Sequence, residues 1–233
     1  AWENKLLNGV WTYDLADVWD GIQKAYADLV RDVREQYGTE IKSLAGIGVS
    51  AMMHGYLPFD AEGNQLAEFR TWRNQMTGPA AEALTKAFSY NIPERWTIAH
   101  LYQAILNKEP HVAKLDHLTT LAGYVHWQLT GCKVVGTGEG SGIFPLTDDT
   151  GTYDPARVAQ FEKMIEPFGY SWKLLEILPT VIPAGADAGC LTEKGARLLD
   201  PTGKLQPGAR MAPPEGDAGT GMVATNSITP GTG

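Results

Sequence analysis

Four short stretches hold the residue types that could do chemistry. The strand-like run Gly46-Ile-Gly-Val-Ser50 leads into Ala51-Met-Met-His-Gly55, which puts a histidine at the carboxyl end of an apolar strand, where α/β folds bind ligands. Phe69-Arg-Thr-Trp-Arg-Asn-Gln-Met-Thr77 sets an indole beside a guanidinium and an amide, the mixture of a flat apolar face and hydrogen-bonding groups that small-molecule pockets use. Gly138-Glu-Gly-Ser-Gly142 holds a carboxylate in a glycine-flanked turn, able to accept hydrogen bonds from a ligand. In Glu215-Gly-Asp-Ala-Gly-Thr-Gly-Met-Val-Ala224 an aspartate opens a run of small residues. That reads as the first turn of a helix, where Asp is a preferred cap and the dipole suits an anionic side chain. On residue type alone the plainer readings stay open: a histidine in a turn, a core tryptophan, a purely structural turn and a simple cap.

The elements that must position these residues are mixed. From Asp14 to Tyr37, Leu15, Val18, Trp19, Ile22, Leu29 and Val33 recur at helical spacing, with Asp14 placed to cap the start and Gly38 to end the helix. The first residues are read as leading straight into it. Ser43 to Ser50 reads as a buried strand, and Tyr56 to Asp60 with the Glu62-Gly63-Asn64 turn as a hairpin. Helical patterns return at about Pro79 to Phe88, Ile98 to Asn107, Leu118 to Leu129 and Pro155 to Glu166. Cys132 to Thr147 is rich in Val, Gly and Thr and reads as interrupted strands, including Ile143 to Leu146. Beyond Pro179 the density of Pro and Gly marks loops or a crossing between domains. The pattern is α/β or α+β.

Composition narrows the function. A chain of 233 residues, 43% hydrophobic, can bury a sizeable core. A net charge of -8 and the lack of a basic run argue against nucleic acid and for a small-molecule partner. No apolar stretch approaches membrane-spanning length, and Ala1-Trp-Glu-Asn4 lacks the features of a signal peptide, so a cytosolic protein with no membrane partner is expected. Cys132 and Cys190 lack a ligand-like spacing, so reduced cysteines and no metal site are expected.

In order along the chain, these motifs resemble the FGGY carbohydrate kinase family, the xylulokinases in particular. The 46–55 stretch is similar to that family's Gly-Ile-Gly-x-Ser-x-Gln-Met-His-Gly, and 72–74 to its Trp-Asn-Asp or Trp-Gln-Asp segment. Asn91 to His100, the Leu-Thr-Gly at 129–131 and the 138–142 turn follow in the family's order, and 215–224 resembles its Gly-Gly-Gly-Asp-Asn-Ala-Ala-Gly-Ala segment. The resemblance implies a ribonuclease H-like, actin-like α/β domain with helical insertions, incomplete here. It implies sugar contacts from Met53, His54, Trp72, Arg73, Asn74 and Glu139, and Asp217 as catalytic base. Gly216, Gly219 and Thr220 would lie at the cofactor, which is ATP with Mg2+ in the complete enzyme, and the sugar would be a ketose such as xylulose or a polyol.

On that reading residues 1–207 form most of the sugar-binding domain and 208–233 a crossover toward the nucleotide-binding domain. Both ends look cut, the second in the turn-like run 229–233. The phosphate loop is expected upstream of Ala1, since the short Asp-x-Gly-Thr matches at Asp149 and Asp217 are weak signals and Asp149 reads as a loop. The 233 residues alone are expected to be inactive, and a homodimer is left open. Met52, Asn74 and Glu139 depart from the family pattern and leave room for a non-catalytic sugar-binding or regulatory protein of the same fold. A third alternative is an actin-like scaffold ATPase indifferent to sugar.

Overall fold

A computed structural model describes residues 5–227 together with 229 and 231. Ala1-Trp-Glu-Asn4 and positions 228, 230, 232 and 233, which include most of the turn-like run 229–233, lie outside the described residues. The described residues open on a hairpin, β1 (Lys5–Leu7) antiparallel to β2 (Val10–Thr12), and this corrects the expectation of a direct entry into the helix. Asn8 and Gly9 turn it with φ of 49° and 81°, the pair of positive angles that Asn-Gly supplies in a tight hairpin. Next comes α1 (Leu15–Tyr37), capped by the Asp14 carboxylate on the Ala16 N–H and ended by left-handed Gly38. Its inner face carries Val18, Trp19 and Tyr26, while Leu29 faces out.

The 43–50 segment is half-open rather than buried. It forms two short strands, β3 (Gly46–Ile47) and β4 (Ser50–Ala51), whose partners lie far away in sequence. β9 (Arg210–Met211) pairs parallel with β3, and β10 (Glu215–Gly216) with β4. Leu44, Ile47 and Val49 are half-buried while Ser43, Gly46, Gly48 and Ser50 stay exposed. Residues 210–211 and 215–216 thereby pair with the strands that lead to His54. The Gly136 N–H donates to Pro214 O at 2.8 Å, joining β10 to β7 (Val134–Gly136), and β7 runs parallel to β8 (Thr180–Ile182).

β5 (Leu57–Phe59) pairs antiparallel with β6 (His117–Thr119), and bridges at Phe59–Gln65 and Tyr56–Arg70 close the expected hairpin. α4 (Leu121–Thr130) therefore starts three residues later than the pattern suggested, behind the Thr120 cap, because Leu118 is taken by the sheet. The 137–146 region folds as a single helical turn, α5 (Thr137–Gly140), and an isolated Leu146–Tyr153 bridge replaces the expected strand. Helices α2 (Gly78–Phe88), α3 (Thr97–Leu106), α6 (Pro155–Ile165) and α7 (Leu174–Ile177) enclose one core around Leu84, Leu101, Phe144 and Phe161. A second core, around Phe59, Phe69 and Leu121, lies between α1, α4 and α8 (Glu193–Leu199). Asp149 sits in an exposed turn closed by Thr147 and Thr152, as expected.

Candidate functional site

Because β4 and β10 are parallel neighbours, their carboxyl ends deliver two of the singled-out stretches side by side. β4 runs into Met53 and His54, and β10 into α9 (Asp217–Ala224). The Asp217 carboxylate joins them, its Oδ1 accepting the Met53 backbone N–H and that of Ala218, each at 3.1 Å. Gly216 is the N-cap and Asp217 the first helical residue, so the plain reading of Asp217 as the cap is corrected. The aspartate is exposed at the positive end of α9, where negative charge is favoured.

His54 occupies a strained turn. Its φ is 68° and that of Gly55 is 99°, and a left-handed non-glycine residue costs on the order of 1–3 kcal/mol that the surroundings must over-determine. Gly55 is required there, since a Cβ would lie 2.8 Å from both Arg70 O and the Phe69 ring. The half-buried imidazole places Nδ1 3.4 Å from Gly142 O. Burial pushes its pKa below the usual value, the Gly142 carbonyl opposes this, Arg95 lowers it further and Asp217 raises it. His54 thus lies within electrostatic reach of both Arg95 and Asp217.

The 69–77 stretch divides in two. Trp72 is 51% exposed, which sets aside the core-tryptophan reading and leaves an indole face available. Arg73 is also exposed and stacks over the Trp11 ring at 4.0 Å. Asn74 is only 3% exposed and fully engaged: its oxygen accepts the Trp11 N–H at 2.9 Å and its amide donates to the carbonyls of Trp11 and Thr71. Its side chain pins β2 to this loop, so the expected sugar contact from Asn74 gives way to a structural bond.

Glu139 departs from expectation in the same way. It is 0% exposed, and neither carboxyl oxygen has a well-formed hydrogen bond. Burial, followed by the neighbouring Glu215 and Asp217 charges, pushes its pKa up to about 8, with the Thr120 hydroxyl offsetting part of the effect. Its carboxyl packs under Gly216, where a Cβ would strike both Glu139 and Met53. The bare Cα of Gly216 is therefore covered by protein, not left open to a phosphate. The Thr220 hydroxyl is likewise engaged, 2.6 Å from Ser50 Oγ and bonded to the carbonyls of Gly216 and Asp217. Gly219 has open space beyond its Cα.

Sequence reasoning missed Glu215 and Trp11. The Glu215 carboxylate accepts the N–H groups of Glu139 at 2.9 Å and Gly138 at 3.4 Å, and occupies the space that side chains at Gly136 and Gly138 would need. Among the described residues no group of three or more His, Cys, Asp or Glu side chains is arranged to hold a metal, and no helix is long and apolar enough to cross a membrane.

No family model matches the sequence, and neither does any curated protein. Solved structures do. The xylulose kinase of Lactobacillus acidophilus superposes with a TM-score of 0.77 at 15% identity, over 96% of this chain and 43% of that one. That of Rhodospirillum rubrum gives 0.77 at 18%, over 99% and 46%. The Plasmodium falciparum glycerol kinase with ADP gives 0.73 at 14%, over 97% and 44%. The fold is that of the sugar kinases. It is an actin-like, ribonuclease H-like domain, and the chain spans less than half the length of these neighbours.

Proposed function

We propose that this chain is the sugar-binding half of an ATP-dependent carbohydrate kinase, with Asp217 as the general base. The observation that carries the reading is the junction of Asp217 with Met53 and His54 at the carboxyl ends of two paired strands. A sugar held by His54 and the Trp72 face would present a hydroxyl to the exposed Asp217 carboxylate, which takes the proton as the oxygen becomes nucleophilic. In phosphoryl transfer, alignment and neutralisation of charge matter more than base strength, so a carboxylate suffices. ATP with Mg2+ would supply the phosphoryl group. The residues here fit only its phosphate end: the N-cap of α9 is Gly216, which offers no side-chain cap, and Gly219 in the first turn has open space beyond its Cα, an arrangement that suits an anion.

Met52, Asn74 and Glu139 differ from the family pattern, and each has a local explanation. Met52 packs with the apolar residues between α1 and α4, Asn74 holds β2, and Glu139 lies buried beneath Gly216. None removes a group from the exposed side of the site. The test is ADP release by the complete protein with a panel of ketoses, polyols and sugar acids. Sugar-dependent release supports the kinase, sugar binding without release supports the non-catalytic alternative, and release indifferent to sugar supports a scaffold ATPase.

A further inference from the structure

We propose that Thr97 is a positioning residue that holds His54 with its Nδ1–H turned to Gly142 and its bare Nε2 offered to the sugar as a hydrogen-bond acceptor. The proposal rests on the reading of this pocket as a sugar site and adds what fixes the imidazole in it.

Thr97 is the first residue of α3 and is fully buried. The first N–H groups of a helix have no partner within it, and two of them here reach the turn after α5. Thr97 N–H donates to Gly142 O at 3.4 Å and Ile98 N–H to Ile143 O at 3.1 Å. The Thr97 hydroxyl donates to Gly55 O at 2.7 Å, and the Gly55 N–H donates to Arg95 O at 3.3 Å. Both polar groups of the residue that follows His54 are therefore held by the 95–97 segment. One buried threonine thus ties together two of the four singled-out stretches, 46–55 and 138–142.

The imidazole sits where these two stretches meet. Its Nδ1 is 3.4 Å from Gly142 O, and a Cβ on Gly142 would stand 2.5 Å from that nitrogen, so the ring rests on a bare Cα. A carbonyl oxygen only accepts, and it has two lone pairs, one for Thr97 N–H and one for the ring. The hydrogen of the neutral imidazole is therefore on Nδ1, and Nε2 keeps its lone pair. Among the described residues Nε2 has no hydrogen-bond partner, and unlike both ring nitrogens of His100 it is not sealed from solvent. A sugar hydroxyl is a donor that such a nitrogen can take. The left-handed backbone at His54 has to be imposed by its surroundings, and the Thr97 hydroxyl is the side-chain donor that fixes the carbonyl of the next residue.

Calorimetry on the complete protein would measure binding of D-xylulose, xylitol and D-gluconate to wild type, Thr97→Val, Thr97→Ser, His54→Asn and the Thr97→Val, His54→Asn double variant. Valine keeps the branched shape and removes the hydroxyl, and asparagine tolerates the bend while lacking Nε2. Thr97→Val should weaken whichever of these compounds binds wild type by about threefold to thirtyfold, Thr97→Ser should restore it to within about twofold, and Thr97→Val should add less than about twofold once His54 is replaced. Gly142→Ala, whose methyl group meets the ring, should weaken binding with the same dependence on His54, and it tests the clamp if the Thr97→Val protein does not fold. Equal weakening in both backgrounds, or a serine variant no better than the valine one, overturns the proposal and leaves the sugar-kinase reading intact. Sugar binding that His54→Asn leaves unchanged removes His54 from the site and the proposal with it. No binding by any of the three compounds overturns the sugar reading as well.

Discussion

The Asp217 carboxylate accepts the backbone N–H of Met53 at 3.1 Å, so the proposed base is held by the same residue that leads into His54. Strand pairing between Gly216 and Ala51 fixes the spacing of the two chains at that point. The bond falls on Oδ1, and among the described residues Oδ2 accepts no hydrogen bond, which leaves it available to take a proton.

Asp217→Asn should therefore lower kcat of the complete protein by about two to four orders of magnitude, the usual range for a general base. The Asn side-chain oxygen can still accept the Met53 N–H, so sugar affinity and melting temperature should change little. Asp217→Ala should lose both the charge and that bond. Steady-state kinetics with a thermal melt decides: an Asn variant with kcat within a few fold of wild type removes the catalytic assignment.

Glu139→Gln should change how stability depends on pH. The folded-state pKa is raised to about 8 from an ordinary value of 4.5, so the unfolded chain ionises first. The contribution of the neutral acid is fully present below about pH 4.5, declines as pH rises toward 8, and is constant above that, at about 1.4 kcal/mol per unit. Relative to wild type, the Gln variant should gain a few kcal/mol in urea unfolding between pH 4.5 and 8. A pH-independent difference would show that Glu139 titrates normally.

Trp72→Ala should raise KM for the sugar more than KM for ATP, because its exposed indole is assigned to the sugar face. Equal effects on both substrates would indicate disturbed folding instead.

His54 should be neutral at pH 7, since burial depresses its pKa. Its unfolded counterpart gains a proton near pH 6.5, so the stability tied to the neutral ring is present above that pH and is lost as pH falls. Sugar affinity should accordingly be flat from about pH 7 to 8 and weaken only below about 6.5. A ring-proton titration by NMR with a midpoint above 6.5 would contradict this.

Gly136→Ala should destabilise the chain by about 1–3 kcal/mol, the usual cost of overpacking, because the new methyl group meets the Glu215 carboxylate. Gly136 has an ordinary φ of -70°, so the backbone itself tolerates alanine. Combining Gly136→Ala with Glu215→Ala should recover part of the loss. Additive free energies in that double-mutant cycle would mean that the two positions do not compete for the same space.

Local signals were legible in the sequence where one element satisfies itself. The Asp14 and Gly38 ends of α1, the Gly131 end of α4 and the Pro155 start of α6 follow from capping chemistry within a few residues. The Asn8-Gly9 turn was equally local and went unread because its flanking strands are only three residues long. Features set by distant pairing were not legible. The exposure of 43–50 depends on how the strands at 210–211 and 215–216 cover it, and the burial of Asn74 and Glu139 depends on Trp11 and Gly216. Motif order located the site but could not distinguish residues facing a ligand from those facing the protein.

The left-handed backbone at His54 governs which replacements there can be interpreted. A φ of 68° is tolerated by asparagine, aspartate and glycine but opposed by β-branched side chains. A saturation library at this position would be sorted first by shape tolerance and only afterwards by what the side chain does. An inert valine variant would report on the turn, whereas asparagine withdraws the titratable ring while keeping the bend, and so isolates the contribution of the imidazole.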